Sequence, residues 1–368
     1  MNDWSSIRNI LCVRLDAFGD VLMTEPALRA LHQSLPNCKL TLLTSPAGAQ
    51  AASMIPYLDK TISYEAPWMK HSSETANIDP HLDIIEYLRF LKFDAAIIFT
   101  VYTQNPLPSA MLCYLAGIPR RTAFCRENPY RLLTDWLPEK EPDVYIRHEV
   151  ERQLALAAAI GASVDRQTIQ IELSGAARNM AETLRGKLTR QNEYRIVVHP
   201  GASAASRRYP VERFAAAMQL MRARYPIAFI VTGDFAEQDL ADTLAAGNAC
   251  VSVAGRLDAQ QWAAIIESAD LLVSNNTGAV HLAAATGTPV VVTYALTNSQ
   301  HTPWRVLSRV LSYDVPCKNC YKSVCPEGHH RCLLGITPHE IADAAHQLLT
   351  AGTQQPVADM PGFIAIAS

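Results

Sequence analysis

Short apolar runs closed by polar turns alternate along this chain with stretches of helical period. Asn9-Ile10-Leu11-Cys12-Val13-Arg14-Leu15 reads as a buried strand, and Val21 to Ser34 then carries apolar positions at helical spacing. Lys39-Leu40-Thr41-Leu42-Leu43-Thr44 predicts the next strand. A helical stretch from Leu82 to Leu91 precedes a third strand, Phe93 to Phe99. The alternation pauses over a helix from about His148 to Ile160 and a polar region from Ser174 to Asn192. It then restarts: strand Arg195–His199, helix Val211–Tyr225, strand Ile227–Thr232, helix Glu237–Ala246, and strands Leu271–Ser274 and Pro289–Tyr294. Strands that alternate with helices imply βαβ units and a parallel sheet. Restarting once predicts an α/β chain of two Rossmann-like, doubly wound halves, with ligands bound at the carboxyl ends of the strands in a cleft between them. The expected domains are 1–180 and 190–336, with the boundary near 175–192. A last helix at 337–351 is expected to pack back on the first half, and 352–368 to form a loose tail.

With 368 residues, two domains are the default. Hydrophobic residues make up 49% and charged residues 18%, which fits globular domains with large cores. A net charge of −3 gives no global attraction to nucleic acid or anionic membrane, so nucleic acid is not an expected partner. No apolar stretch is long enough to span a bilayer, and the first residues lack the regions of a signal peptide. A cytoplasmic location is therefore expected.

The polar turns hold the candidate chemistry. After the first strand comes Asp16-Ala17-Phe18-Gly19-Asp20. Gly19 permits a tight turn and close approach. Asp20 stands at a helix mouth, which favours its ionised form and suits either ordinary N-capping or proton acceptance. Spacing alone does not choose between them. The second half opens with His199-Pro200-Gly201-Ala202-Ser203, followed by Arg207-Arg208-Tyr209-Pro210. Gly201 and Ser203 can offer donors to a phosphate, and the two arginines can add charge-assisted hydrogen bonds; a solvated basic turn is the alternative. Glu237, beyond Gly233, can accept from a ribose or simply sit in the acidic first turn of a helix. Ser274-Asn275-Asn276-Thr277-Gly278-Ala279-Val280-His281 ends a strand and opens an Ala-rich helix. Its N–H groups and hydroxyls make a cradle for a diphosphate, with His281 one turn on, or else an ordinary capped helix. No Walker A sequence is present.

Taken in order, these loops resemble glycosyltransferase family 9, the ADP-heptose:lipopolysaccharide heptosyltransferases. The motifs are Arg-Leu-Asp-Ala-Phe-Gly-Asp-Val-Leu with Pro26-Ala27-Leu28, His-Pro-Gly-Ala-Ser with Arg-Arg-Tyr-Pro, and Ser-Asn-Asn-Thr-Gly-Ala-Val-His-Leu. Arg147-His148-Glu149-Val150 adds to them, and the likeness runs from about Ile10 to the helix after Ile336. The resemblance implies a GT-B fold and inverting sugar transfer without a catalytic cofactor, in keeping with the lack of an Asp-X-Asp motif. It implies that Asp20 deprotonates the acceptor hydroxyl. On the donor side it implies that Arg207 and Ser203 meet the phosphates, that Glu237 contacts the nucleoside, and that Thr277, Gly278 and His281 form the donor-binding turn, with Arg208 a donor-side candidate from its own charge. ADP-heptose is the implied donor and a glycolipid or other surface glycan the acceptor, with peripheral inner-membrane contact. Asn276 departs from the family, which usually has Asp there, so an acceptor-only carboxylate becomes an amide that also donates. That puts the donor sugar in question more than the chemistry. Arg120, Arg121, Arg126 and Arg131 are candidates to meet an anionic acceptor, or else form a solvated basic surface.

Other readings within reach are a GT-B transferase acting on a protein or secondary metabolite, and a catalytically silent sugar-nucleotide-binding protein. Cys317, Cys320, Cys325 and Cys332 form a C-x₂-C-x₄-C-x₆-C cluster able to hold a structural Zn or Fe ion; free thiols are the alternative.

Overall fold

The computed structural model describes residues 4, 6–70, 77–188, 190, 193–248 and 250–351; the expected tail at 352–368 lies outside them. The chain divides into two compact units, Met1–Gln170 and Ile171–Ser368.

In the first unit the elements run β1 (Asn9–Arg14), α1 (Phe18–Ser34), β2 (Lys39–Thr44), α2 (Pro46–Ala52), β3 (Lys60–Ser63), α3 (Asp79–Leu91), β4 (Ala95–Ile98), α4 (Leu107–Leu115), β5 (Arg120–Cys125), β6 (Asp135–Pro138) and α5 (Glu149–Ala158). The sheet order is β3-β2-β1-β4-β5-β6, and every pairing is parallel. β1 is buried along most of its length because helices cover both faces, which is why it reads as an unbroken apolar run. Leu11, Val13, Leu43, Ile98 and Ala123 meet Leu88 and Leu112 in one core.

The second unit runs α6 (Gly175–Leu188), β7 (Tyr194–His199), α7 (Val211–Arg224), β8 (Ile227–Val231), α8 (Gln238–Gly247), β9 (Val251–Ser252), α9 (Ala259–Glu267), β10 (Leu271–Asn275), α10 (Gly278–Thr286), β11 (Val290–Thr293), β12 (Ser308–Leu311), α11 (Arg331–Leu334) and α12 (Pro338–Ala351). Its sheet, β12-β11-β10-β7-β8-β9, repeats the connectivity of the first, again all parallel. In each unit the winding reverses beside the first strand, between β1 and β4 and between β7 and β10. Ligands of open α/β sheets bind outside the carboxyl ends of the strands at that reversal. The loops after β1 and β4, and after β7 and β10, are therefore the places to look.

The division falls at Gln170, ahead of the polar region, because that region is α6 and packs on α9 of the second unit. The last helix, α12, lies on α7 and on β10, β11 and β12. Its Ile341, Ala345 and Leu348 belong to the second unit's core.

Candidate active site

In the first unit the β1–α1 loop is organised around one guanidinium. Arg14 ends β1 with no solvent exposure. Its Nη2 donates to Asp20 Oδ1 at 3.2 Å and to Glu149 Oε1, at the start of α5, at 2.9 Å. Its Nε lies 3.0 Å from Asp16 Oδ2, a close ion contact whose N–H is not aligned as a hydrogen bond. Gln104, from the loop after β4, donates to the other oxygen of Asp16. Glu149 in turn accepts from Gln153. Burial pushes the Asp16 carboxyl up to about 6 against the pull of Arg14.

Asp20 sits in the first turn of α1 as expected. Its Oδ2 accepts the N–H of Ala17 at 3.1 Å, the single arm of a capping box that an alanine N-cap leaves open, while Oδ1 meets Arg14. Capping and proton acceptance are thus compatible here: two donors fix the carboxylate, and its side chain keeps 17% exposure while Glu149 has none. Gly19 is buried beside it. Further along the same network, Glu141 accepts from Arg147 at 2.8 Å and from Arg152 at 2.9 Å. Arg152 also donates to the Thr100 carbonyl.

Of the four arginines offered to an anionic acceptor, Arg121 is taken up by structure. It is buried and donates to the carbonyls of Ile118, Arg131 and Leu132, which removes it from the acceptor set. Arg120 pairs with Asp135 and lies over Trp4. Arg126 donates to the carbonyls of Tyr102 and Glu141, while Arg131 is exposed.

In the second unit the loops after β7 and β10 are tied together by Asn275. Its Nδ2 donates to the carbonyls of Pro200 and Gly201 at 2.6 and 3.2 Å. Its Oδ1 accepts from Tyr209 N at 3.0 Å and Thr293 Oγ1 at 2.8 Å. All four bonds are buried and the amide is fully used, so Asn275 is a staple. Its neighbour Asn276, 3% exposed, faces the Tyr294 hydroxyl, which also lies near Arg207. Burial holds that phenol in its protonated form. Arg207 is half-buried and its Nε is buried without a hydrogen-bond partner among the described residues. Arg208 is exposed and donates to the Ala202 carbonyl, and Ser203 is exposed. Thr277 caps α10 through a long 3.4 Å bond from Ala279 N, weak enough to be exchanged for a better partner. Gly278 opens the helix and His281 is buried one turn on.

Glu237 has a different setting from the one expected of a ribose acceptor. It closes a capping box with Asp234, lies 3.6 Å from His199 Nε2, and burial raises its carboxyl above the usual range. A Cβ at Gly201 would meet its Cδ at 2.0 Å. Glycine at 201 is therefore needed to admit the Glu237 carboxylate. His199, buried against Trp262 and bonded to Thr232, is pushed down to about 4.

The four-thiolate site is not assembled. Cys317 Sγ comes within 3.6 Å of His329 Nε2, and Cys332 is drawn toward the Leu296 backbone as it enters α11. Among the described residues no three Cys, His, Asp or Glu side chains converge to hold a metal ion. Cys12, Cys38, Cys113 and Cys125 are ordinary buried residues.

Sequence reading passed over Arg14, Asp16, Asn275 and Tyr294 as individual residues. A charged residue at the end of an apolar strand was the available signal for Arg14, because such a position is buried and demands partners.

Two parallel, doubly wound units with polar loops at their winding reversals make up the GT-B architecture. Residues 82–331 match the family model of glycosyltransferase family 9 (heptosyltransferase), and the chain belongs to that family. It is 25% identical over 359 residues to lipopolysaccharide heptosyltransferase 2 of Escherichia coli K12, covering 92% of this chain and 98% of that one. The solved structure of an E. coli ADP-heptose LPS heptosyltransferase II superposes with a TM-score of 0.73 at 22% identity, over 94% of this chain and 99% of that one. A family 9 glycosyltransferase from Veillonella parvula gives 0.77 at 20% identity, over 94% and 98%. No helix among the described residues is long and apolar enough to cross a membrane.

Proposed function

We propose that this glycosyltransferase moves a heptose, or a closely related sugar, from its ADP-activated form to a lipopolysaccharide core acceptor with inversion. The first unit would take the acceptor and the second the donor, in the cytoplasm and in peripheral contact with the inner membrane. The observation that carries the chemistry is Asp20: a carboxylate fixed by Arg14 and the Ala17 N–H, still open to solvent, at the winding reversal of its sheet. As the acceptor oxygen bonds to the anomeric carbon, its proton passes to Asp20 and the bond to the diphosphate breaks, with the electron pair leaving on ADP. Arg207 supports the donor half, because a buried guanidinium N–H without a protein partner is costly until an anion meets it. Ser203, Arg208, Thr277, Gly278 and His281 complete the diphosphate surroundings, and Glu237 is proposed to reach the nucleoside from its capping position. Asn276, the amide in place of the family's carboxylate, is read as the residue that selects the sugar.

The test is a donor–acceptor screen read by mass spectrometry, with ADP-heptose and ADP- and UDP-hexoses. Transfer from ADP-heptose is expected. Asp20→Asn should lower kcat at least about a hundredfold while ADP binding survives. Undiminished turnover by that variant would remove Asp20 from the mechanism, and donor binding with no transfer from any of the donors would favour a catalytically silent sugar-nucleotide-binding protein.

A further inference from the structure

Three carboxylates share one guanidinium in the first unit, and only one of them is needed as a base. Asp16, Asp20 and Glu149 all lie within 3.2 Å of Arg14, which has no other acid partner among the described residues. Full pairing of a buried arginine needs one carboxylate, so this cluster holds an excess of negative charge in a place where charge is expensive. Glu149 is wholly buried, and Asp16 nearly so, at 8% side-chain exposure. Asp16 is also fixed by Gln104, from across the winding reversal. An arginine facing Asp20 alone would hold its carboxylate ionised but make it a reluctant proton acceptor.

We propose that Arg14 and Asp16 are positioning residues for the transfer reaction: Arg14 aims the Asp20 carboxylate, and Asp16 draws off part of the guanidinium's charge so that Asp20 stays basic enough to take the hydroxyl proton. The idea rests on Asp20 as the base. The charged groups facing Asp20 are Arg14 from β1, Asp16 from the β1–α1 loop and, through Arg14, Glu149 from α5; Gln104 is neutral. Replacing Asp16 by Asn keeps the shape and leaves the guanidinium to Asp20 and Glu149. The ionised form of Asp20 is then favoured further, and its basicity falls.

The experiment is a set of kcat and KM pH profiles for wild type, Asp16→Asn, Arg14→Lys and Asp20→Asn with ADP-heptose. For Asp16→Asn, kcat near neutral pH should fall about tenfold. The acidic limb of its kcat profile should move down by about one pH unit, and KM for the ADP-sugar should stay within about twofold. Arg14→Lys, which keeps the charge but loses the fork, should lower kcat more than KM. A merely structural role would lower the melting temperature and leave the limb in place. An unmoved limb with undiminished kcat in Asp16→Asn overturns the proposal if Asp20→Asn is inactive. If Asp20→Asn turns over normally, it is the base assignment that falls. Should Arg14→Lys fail to fold, the Asp16 profile decides alone.

Discussion

Asn275 and Asn276 are adjacent amides with opposite fortunes. Every donor and acceptor of Asn275 is committed inside the protein, where it pins the loop after β7 to the ends of β10 and β11. Asn276 faces Tyr294 and the proposed donor side. An Asp at each position should therefore fail in different ways. Asn275→Asp turns two buried donors into acceptors aimed at carbonyl oxygens, and should cost about 3 kcal/mol or more in denaturant unfolding. Asn276→Asp should leave stability nearly unchanged and shift the preference among ADP-sugars. Equal unfolding midpoints for the two variants, or an unchanged donor preference for Asn276→Asp, would remove this division of labour. The sequence marks both positions in one motif but does not say which amide is consumed by the fold, since that depends on contacts some 75 residues away.

At the scale of elements, the strands legible in the sequence were those buried on both faces. β1, β2, β4, β7, β8, β10 and β11 are apolar runs because helices cover them. The strands passed over are the edges β3, β6, β9 and β12, together with β5 beside an edge. The edges are short, partly exposed and mixed in polarity, so no period stands out, and β5 opens on two arginines that break its apolar run. α6 was missed for a related reason: it buries only Ala177 and Ala181, and reads as polar linker. In the cysteine loop a strong local pattern and the packing point in different directions. Cys317 meets His329 while Cys332 is committed to the start of α11. Metal analysis of protein purified without added metal is expected to find no stoichiometric ion, with the thiols of this loop open to a thiol reagent. One tightly bound equivalent with protected thiols would show that the loop closes on a metal instead.

For the whole molecule, the two units carry buried titratable groups of opposite sign, which makes their stabilities respond oppositely to pH. In the first unit burial pushes Glu25, held by Arg29, Tyr57 and the Gln170 N–H, up to about 7, and Asp16 up to about 6. Both bind protons more tightly folded than unfolded. Their contribution is full below the ordinary carboxylate range and is lost as pH rises through 6 to 7. In the second unit His199 is pushed down to about 4 from an ordinary value near 6.5. Its unfolded form binds the proton more tightly, so the contribution is present above 6.5 and is lost as pH falls toward 4. Glu237, raised by burial, offsets part of this in the second unit. Between pH 5 and 7 the first unit should therefore lose stability as pH rises while the second gains it. Calorimetry across that range should show two components whose midpoints move in opposite directions. Glu25→Gln should flatten the first and His199→Gln the second. Parallel movement of both components, unaffected by either substitution, would show that these two buried groups do not govern the pH response.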